Sequence, residues 1–299
     1  MSTGTIALAG SAGMTGEVID EHASQVPAPA LRGLVDGRYI AYRQAGVEPM
    51  RHRGLPSASM TVIFTLDDPL VLTEHPDPAQ PSGVYQTLVG GLHTAPALIT
   101  HDGRQSGIQL GLSPLGARTL LGLPAGELAA TDVSGEDVLG VIAAEIRDRL
   151  QSAASWSDRF AILDEVLAAR AVQAAGRPGT AVSPEVTHAW RLLRRTGGSA
   201  PVSRLTAETG WSDRHLRNRF REETGLAPKA AARVIRFERA RRELQHRAAA
   251  GGALRLAELA AAFGYFDQAH LDRDFGLLAG CSPTTWVAEE FRNFQALAG

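Results

Sequence analysis

Arg214, Arg217, Asn218 and Arg221 are the residues whose types and spacing most directly suggest chemistry. They lie in the segment "DRHLRNRFREET". At about 100° per residue, a helix there turns Leu216 and Phe220 inward and Arg214, Asn218 and Arg221 outward, with Arg217 on the flank. Arginine can donate two hydrogen bonds to guanine, and asparagine can donate and accept at adenine. Each good pair contributes about 1–3 kcal/mol of base discrimination. A solvated arginine-rich helix has the same composition, so the surrounding elements must decide between the two.

Those elements are written twice. The first copy runs through "RLTAETGWSDRHLRNRF" to "ETGLAP", with Gly210, Leu216, Phe220, Gly225 and Pro228 as markers. The second reads "AELAAAFGYFDQAHLDRDF" followed by "LAGCSP", with Gly264, Leu271, Phe275, Gly280 and Pro283 in the corresponding places. Each predicts helix, tight turn and helix, the motif that lays its second helix in a DNA major groove. Gly210 suits a left-handed turn, Trp211 is expected to enter the core, and Ser212 can cap the helix that follows.

The copies are not equivalent. The turn glycine precedes the apolar anchor by six residues in the first copy and seven in the second, where Tyr265 and Phe266 fill the turn and Asp267 is the expected cap. Leu259 and Phe263, with Ala260 at the close contact, form the preceding helix. Opposite Leu271 and Phe275 lie Ala269 and Arg273, with Asp272 beside them, so only Arg273 is an evident ligand for a base or phosphate. Asp267, Asp272 and Asp274 repel phosphate unless they cap, pair with arginine or accept from cytosine. The second copy is therefore expected to bind more weakly and less selectively.

Between the copies, "KAAARVIRFERARRELQHRA" carries Val234, Phe237, Ala240 and Leu244 on one stripe. A helix over 229–247 is about 28 Å long, close to the roughly 34 Å that separates successive major grooves on one face of DNA. Arg233, Arg236 and Arg241 are candidate phosphate contacts, although arginines on a surface helix are as often simply solvated. Charge agrees with this placement. The whole chain of 299 residues has a formal net charge of −2, yet residues 180–247 hold 15 basic against 7 acidic side chains, and residues 248–299 hold 3 against 6. The basic footprint belongs to the first copy.

The rest of the chain is long enough for a second domain. Residues 1–30 are rich in small residues and read as a flexible or extended lead-in. From Leu31 to about Leu112, "YIAYRQ", "MTVIFTL", "LVLTE", "VYQTLVGGLH", "PALITH" and "SGIQLGL" predict short strands of a sandwich or barrel. Val138, Ile142, Ile146 and Leu150 predict a long helix from Ser134, and Ser157 or Asp158 a cap for the next. "AAGRPGTAVSP" is the linker candidate, and beyond it Ser183 caps a helix with Val186, Trp190 and Leu193 as its apolar stripe.

His52, His75, His93 and His101 contain no H-x-H pair, so hydrogen-bonded or solvated histidines are expected rather than a metal site. No phosphate loop, dinucleotide fingerprint or nucleophile elbow is present, and no cofactor is expected. The lone Cys281 excludes an intrachain disulfide. No apolar run spans a membrane and the start lacks a secretory pattern, so a cytoplasmic protein is expected.

Residues 184–291 resemble the DNA-binding domain of the AraC family of bacterial transcription regulators. "GWSDRHLRNRFREETGLAP" and "GYFDQAHLDRDFGLLAGCSP" are similar to its two signatures. The resemblance implies seven helices with two motifs joined by a long helix. It also implies base-reading positions at Arg214, Arg217 and Asn218, then at Gln268, Ala269, Asp272 and Arg273. Thr206 departs from the usual alanine, and Ala269 and Asp272 depart at the second site.

The expected fold is α+β with two domains. An N-terminal β-rich, sandwich- or barrel-like domain with trailing helices (31–173) is joined by a linker (174–183) to an all-α helix-turn-helix domain (184–291), followed by a tail (292–299). The expected function is sequence-specific regulation of transcription on double-stranded promoter DNA, with a small-molecule effector on the N-terminal domain. RNA polymerase contact and homodimerisation are compatible with that expectation. The alternatives are an N-terminal domain that serves only oligomerisation or protein contact, and an alkyl-transfer enzyme that uses Cys281, a position better suited to a small buried hydrophobe.

Overall fold

A computed structural model describes residues 18–298, with side chains through residue 290. The strands are β1 (Ile19–Gln25), β2 (Val35–Ala45), β3 (Met50–Gly54), β4 (Met60–Thr65), β5 (Leu70–Glu74), β6 (Gly83–Tyr85), β7 (Thr87–Gly90), β8 (Ala97–His101), β9 (Gln105–Leu112) and β10 (Asp132–Ser134). They form two antiparallel sheets, in the orders β1-β2-β9-β4-β7-β10 and β3-β8-β5-β6. The helices of this region are α1 (Ala117–Leu120), α2 (Gly135–Leu139), α3 (Val141–Ser152) and α4 (Trp156–Ala174).

The two-residue period of a strand explains the layering. On β4, Met60, Val62 and Phe64 join a core shared with Ile146, Leu150, Phe160 and Leu163 of α3 and α4. Ile63, on the opposite face, joins Leu70, Leu72, Leu88 and Ile99 between the two sheets. Helix α4 is fixed to the larger sheet by Tyr39, whose ring stacks on Phe160 at 5.9 Å and whose hydroxyl donates to Asp164 at 2.9 Å.

Three local expectations change. The stretch read as a lead-in contains β1, paired along its length with β2, while residues 1–17 lie outside the described residues. The helix expected from Ser134 is broken at Gly140, whose φ of 66° is left-handed, so α2 and α3 are separate. The cap of α4 is Ser155, which accepts from the Asp158 amide, rather than Ser157 or Asp158.

Seven helices follow: α5 (Pro184–Arg195), α6 (Val202–Thr209), α7 (Asp213–Thr224), α8 (Pro228–Ala249), α9 (Leu256–Ala262), α10 (Gln268–Leu278) and α11 (Pro283–Ala298). Ser183 caps α5 through the Val186 amide, and Pro184 occupies its first position. Leu205, Leu216, Phe220, Leu259, Leu271 and Phe275 are fully buried. Burial of each contributes roughly 1.5–3 kcal/mol. Aromatic contacts tie each motif to its neighbouring helices: Trp190 of α5 lies 5.9 Å from Phe220 of α7, and Phe275 of α10 lies 4.9 Å from Phe237 of α8 and 6.2 Å from Trp286 of α11. No described helix is long and apolar enough to cross a membrane.

Candidate nucleic-acid interface

Helices α6 and α7 form the first helix-turn-helix, and α9 and α10 the second. Gly210 and Gly264 take φ of 71° and 75° at the turns, a backbone that a side chain would strain. After Gly210, Trp211 is half-buried with its ring edge-on to His215 at 4.5 Å, and Ser212 accepts from the His215 amide at 3.4 Å. After Gly264, Tyr265 is buried with its ring 5.2 Å from His270, and Asp267 accepts from the His270 amide at 2.7 Å. Trp211 therefore corresponds to Tyr265 and Ser212 to Asp267, which identifies Phe266 as the inserted residue.

On α7, Arg214, Arg217, Asn218 and Arg221 are all exposed. None of the three arginines has an ion-pair partner among the described residues, whereas their neighbour Arg219 pairs with Glu222 at 2.7 Å. On α10, Gln268, Ala269 and Arg273 are exposed, while Asp272 is half-buried and its Oδ1 lacks a hydrogen-bond partner. Asp274 is buried and paired with Arg233 at 2.7 Å, so the carboxylate expected to repel phosphate is neutralised within the fold.

The spacer α8 has 22 residues and is about 33 Å long. Its arginines are used differently from the expectation that they touch phosphate. Arg233 holds Asp274, and Arg236 donates to the Gly264 carbonyl at 3.3 Å and stacks on Tyr265 at 5.0 Å. Arg241 lies 5.8 Å over Trp286 and lines the junction with the β-rich region, where burial pulls its pKa down. These side chains build the platform behind the recognition helices.

Residues that the sequence did not single out fix this platform to the N-terminal region. Glu223, at the end of α7, is buried and gripped by Arg118, which also donates to the Gly179 carbonyl at 3.1 Å between α4 and α5. The 3-10 turn Ala125–Leu128 packs so closely on α7 that a methyl group on Gly126 would come within 2.1 Å of the Glu222 carbonyl oxygen and 2.7 Å of that of Arg221. At the other end, the Ala58 amide donates to Glu238 of α8 at 3.1 Å, the Arg53 amide donates to Glu290 at 3.3 Å, and the Arg53 side chain pairs with Glu289. The one cue in the sequence was periodicity: Glu223 falls three residues after Phe220 on the buried stripe.

Beside the Arg53, Glu238 and Glu290 attachments lies a cavity of about 560 Å³. Ile63, Leu72, Leu88 and Ile99 line its inter-sheet side, and Arg194 and Arg241 its helical side. His52 is on its wall, with a pKa pulled down to about 4 by burial and secondarily by His101. His75 is buried and bonded to Asp132 at 2.8 Å. Among the described residues no group of three histidine, cysteine or acidic side chains is arranged to hold a metal. Burial pushes the Cys281 thiol up, away from the thiolate a nucleophile needs.

A family model described as "Helix-turn-helix domain" matches residues 205–289. The C-terminal region is an AraC-type helix-turn-helix domain. This AraC-type domain makes the chain a DNA-binding regulator of transcription. A second model, "Domain of unknown function (DUF6597)", matches residues 24–134. No curated protein matches the sequence.

Solved structures with a similar arrangement include ToxT from Vibrio cholerae, at 10% identity and a TM-score of 0.48, covering 86% of this chain and 98% of that one. Another is unsaturated fatty acid bound ToxT from the same organism, at 10% identity and 0.49, covering 84% and 94%. The AraC-like transcriptional activator CuxR is similar at 15% identity and 0.31, covering 76% and 95%.

Proposed function

We propose that the chain is a sequence-specific regulator in which α7 reads bases in one major groove and α10 makes the weaker contact in the next. Arg214, Arg217, Asn218 and Arg221 are the ligands of the first site, and Gln268, Ala269, Asp272 and Arg273 face the second. The observation that carries this reading is the free polar face of α7, capped by Ser212 and anchored from behind by Leu216 and Phe220. Arginine and asparagine held this way have the geometry for guanine and adenine edges. The roughly 33 Å of α8 suits two grooves on one face of the duplex.

The division of labour proposed here is a β-rich sensory unit up to residue 173, a linker at 174–183 and the DNA-binding unit from residue 184. A small molecule in the cavity would touch both units at once, since apolar side chains of the sheets and arginines of α5 and α8 share its wall. That gives a ligand a direct route to the position of the recognition helices. Promoter contact with RNA polymerase and pairing of two copies fit the same scheme.

Selection of duplexes from a random library by the full-length protein tests the DNA reading. An enriched motif with half-sites about one helical turn apart is expected. Recovery of random sequence, or a motif indifferent to Arg214→Ala and Asn218→Ala, would contradict it. A metabolite thermal-shift screen tests sensing: a ligand at about 100 times its Kd adds roughly 2.7 kcal/mol. A broad screen without a hit would favour a pure contact module.

A further inference from the structure

Phe266 is 92% exposed, although the residues on either side of it are fixed. Tyr265 is buried beneath Arg236, and Asp267 caps α10. The Phe266 amide itself donates to His270 Nδ1 at 3.3 Å, so the backbone carrying the ring is tied to the first turn of the recognition helix. The first copy has no counterpart, because Trp211 passes directly to Ser212. An exposed aromatic ring on a tethered backbone, immediately before a recognition helix, stands where helix N-termini meet base edges in this motif. Gln268 and Arg273 are the exposed hydrogen-bonding side chains nearby, since Ala269 offers no hydrogen bond and Asp272 is half-buried.

We infer that Phe266 is a specificity residue of the second helix-turn-helix and packs on the 5-methyl group of a thymine in the major groove. The major groove presents that methyl as its one apolar mark, and side chains such as phenylalanine contact it. The second half-site would then be read by a methyl contact beside the hydrogen bonds that Gln268 and Arg273 can make. This accounts for a recognition helix with one exposed arginine, and it rests on the DNA-reading proposal above.

The test uses the full-length protein and the duplex that the wild type enriches from a random library. Each thymine of the second half-site is replaced in turn by deoxyuridine, which lacks only the methyl. The wild type is expected to lose about fourfold in affinity at one thymine, the equivalent of one buried carbon. Phe266→Ala should bind thymine and uracil duplexes alike, and Phe266→Leu should keep part of the difference. At so exposed a position the melting temperature should not move, which separates the contact from folding. Unchanged affinity in Phe266→Ala would overturn the inference. So would an equal loss on both duplexes, which would mark the ring as a wedge or a backbone contact. Failure of the wild type to enrich any duplex would remove the DNA-reading proposal itself, and this contact with it.

Discussion

Arg118 of the β-rich region and Glu223 of the first recognition helix are joined by two hydrogen bonds, Nε to Oε2 at 2.7 Å and Nη2 to Oε1 at 3.0 Å. The Glu223 side chain is 3% exposed, and the Arg118 guanidinium is the cation that meets it there. Removing one member of a buried pair costs about 3 kcal/mol or more because the other charge is stranded. Arg118→Ala should therefore destabilise the protein more than Glu223→Gln does, and the double variant should recover part of the loss. A urea-denaturation cycle checks this, and strictly additive losses would show that the two groups are not coupled.

Gly126 tests the same contact without touching a charge. A methyl group there would meet the backbone oxygens of Glu222 and Arg221, neither of which has a flexible end to move aside. Gly126→Ala should separate the Ala125–Leu128 turn from α7 and speed proteolysis in the 175–183 segment between α4 and α5. An unaltered cleavage rate would mean that this packing does not hold the two regions together.

Acid should weaken the N-terminal region. Burial holds His52 at about 4 and also lowers His93 and His101, whereas an unfolded histidine titrates near about 6.5. Between those values the unfolded chain binds protons that the folded chain refuses. The stability contribution is thus complete above about pH 6.5 and is lost as pH falls toward 4. Urea midpoints should drop between pH 7.5 and pH 5, with a smaller drop in His52→Gln. A flat profile would contradict the burial of these rings.

Arg233 and Arg217 should separate structural from DNA-contacting arginine. Arg233→Ala strands Asp274 in the core and should lower stability by roughly 3 kcal/mol while leaving the salt dependence of DNA binding unchanged. Arg217→Ala should leave stability within about 0.5 kcal/mol and change affinity. A changed salt slope in Arg233→Ala would restore it as a phosphate contact.

The helices and turns of the C-terminal domain were legible because glycine turns, capping residues and apolar stripes are local signals. Ser183, Ser212 and Asp267 cap as their positions predicted. Strands β2, β4, β5, β8 and β9 were legible as short apolar or alternating runs, as in "MTVIFT", whereas the more polar β1, β3 and β10 lay outside the segments read as strands. Partnership across the chain was not. Arg233, Arg236 and Arg241 looked like phosphate ligands because a sequence shows their charge and not the Asp274, Tyr265 or Trp286 that engages them. Glu223, Glu238 and Asp274 each stand on or beside an apolar stripe, which signals that a carboxylate must be compensated, but the compensating arginines lie 4 to 105 residues away. The cavity was equally hidden, since its wall comes from both sheets and from α5, α8 and α11.

The asymmetry between α7 and α10 is the centre of the account. Its most direct test is a matched set of affinities for the selected operator, measured by fluorescence anisotropy at one fixed salt concentration, for wild type, Arg217→Ala and Arg273→Ala. Arg217→Ala should cost roughly 1–3 kcal/mol, as expected for loss of a base-reading arginine, and more than Arg273→Ala. Equal losses, or a larger loss for Arg273→Ala, would contradict the assignment of base reading to the first helix.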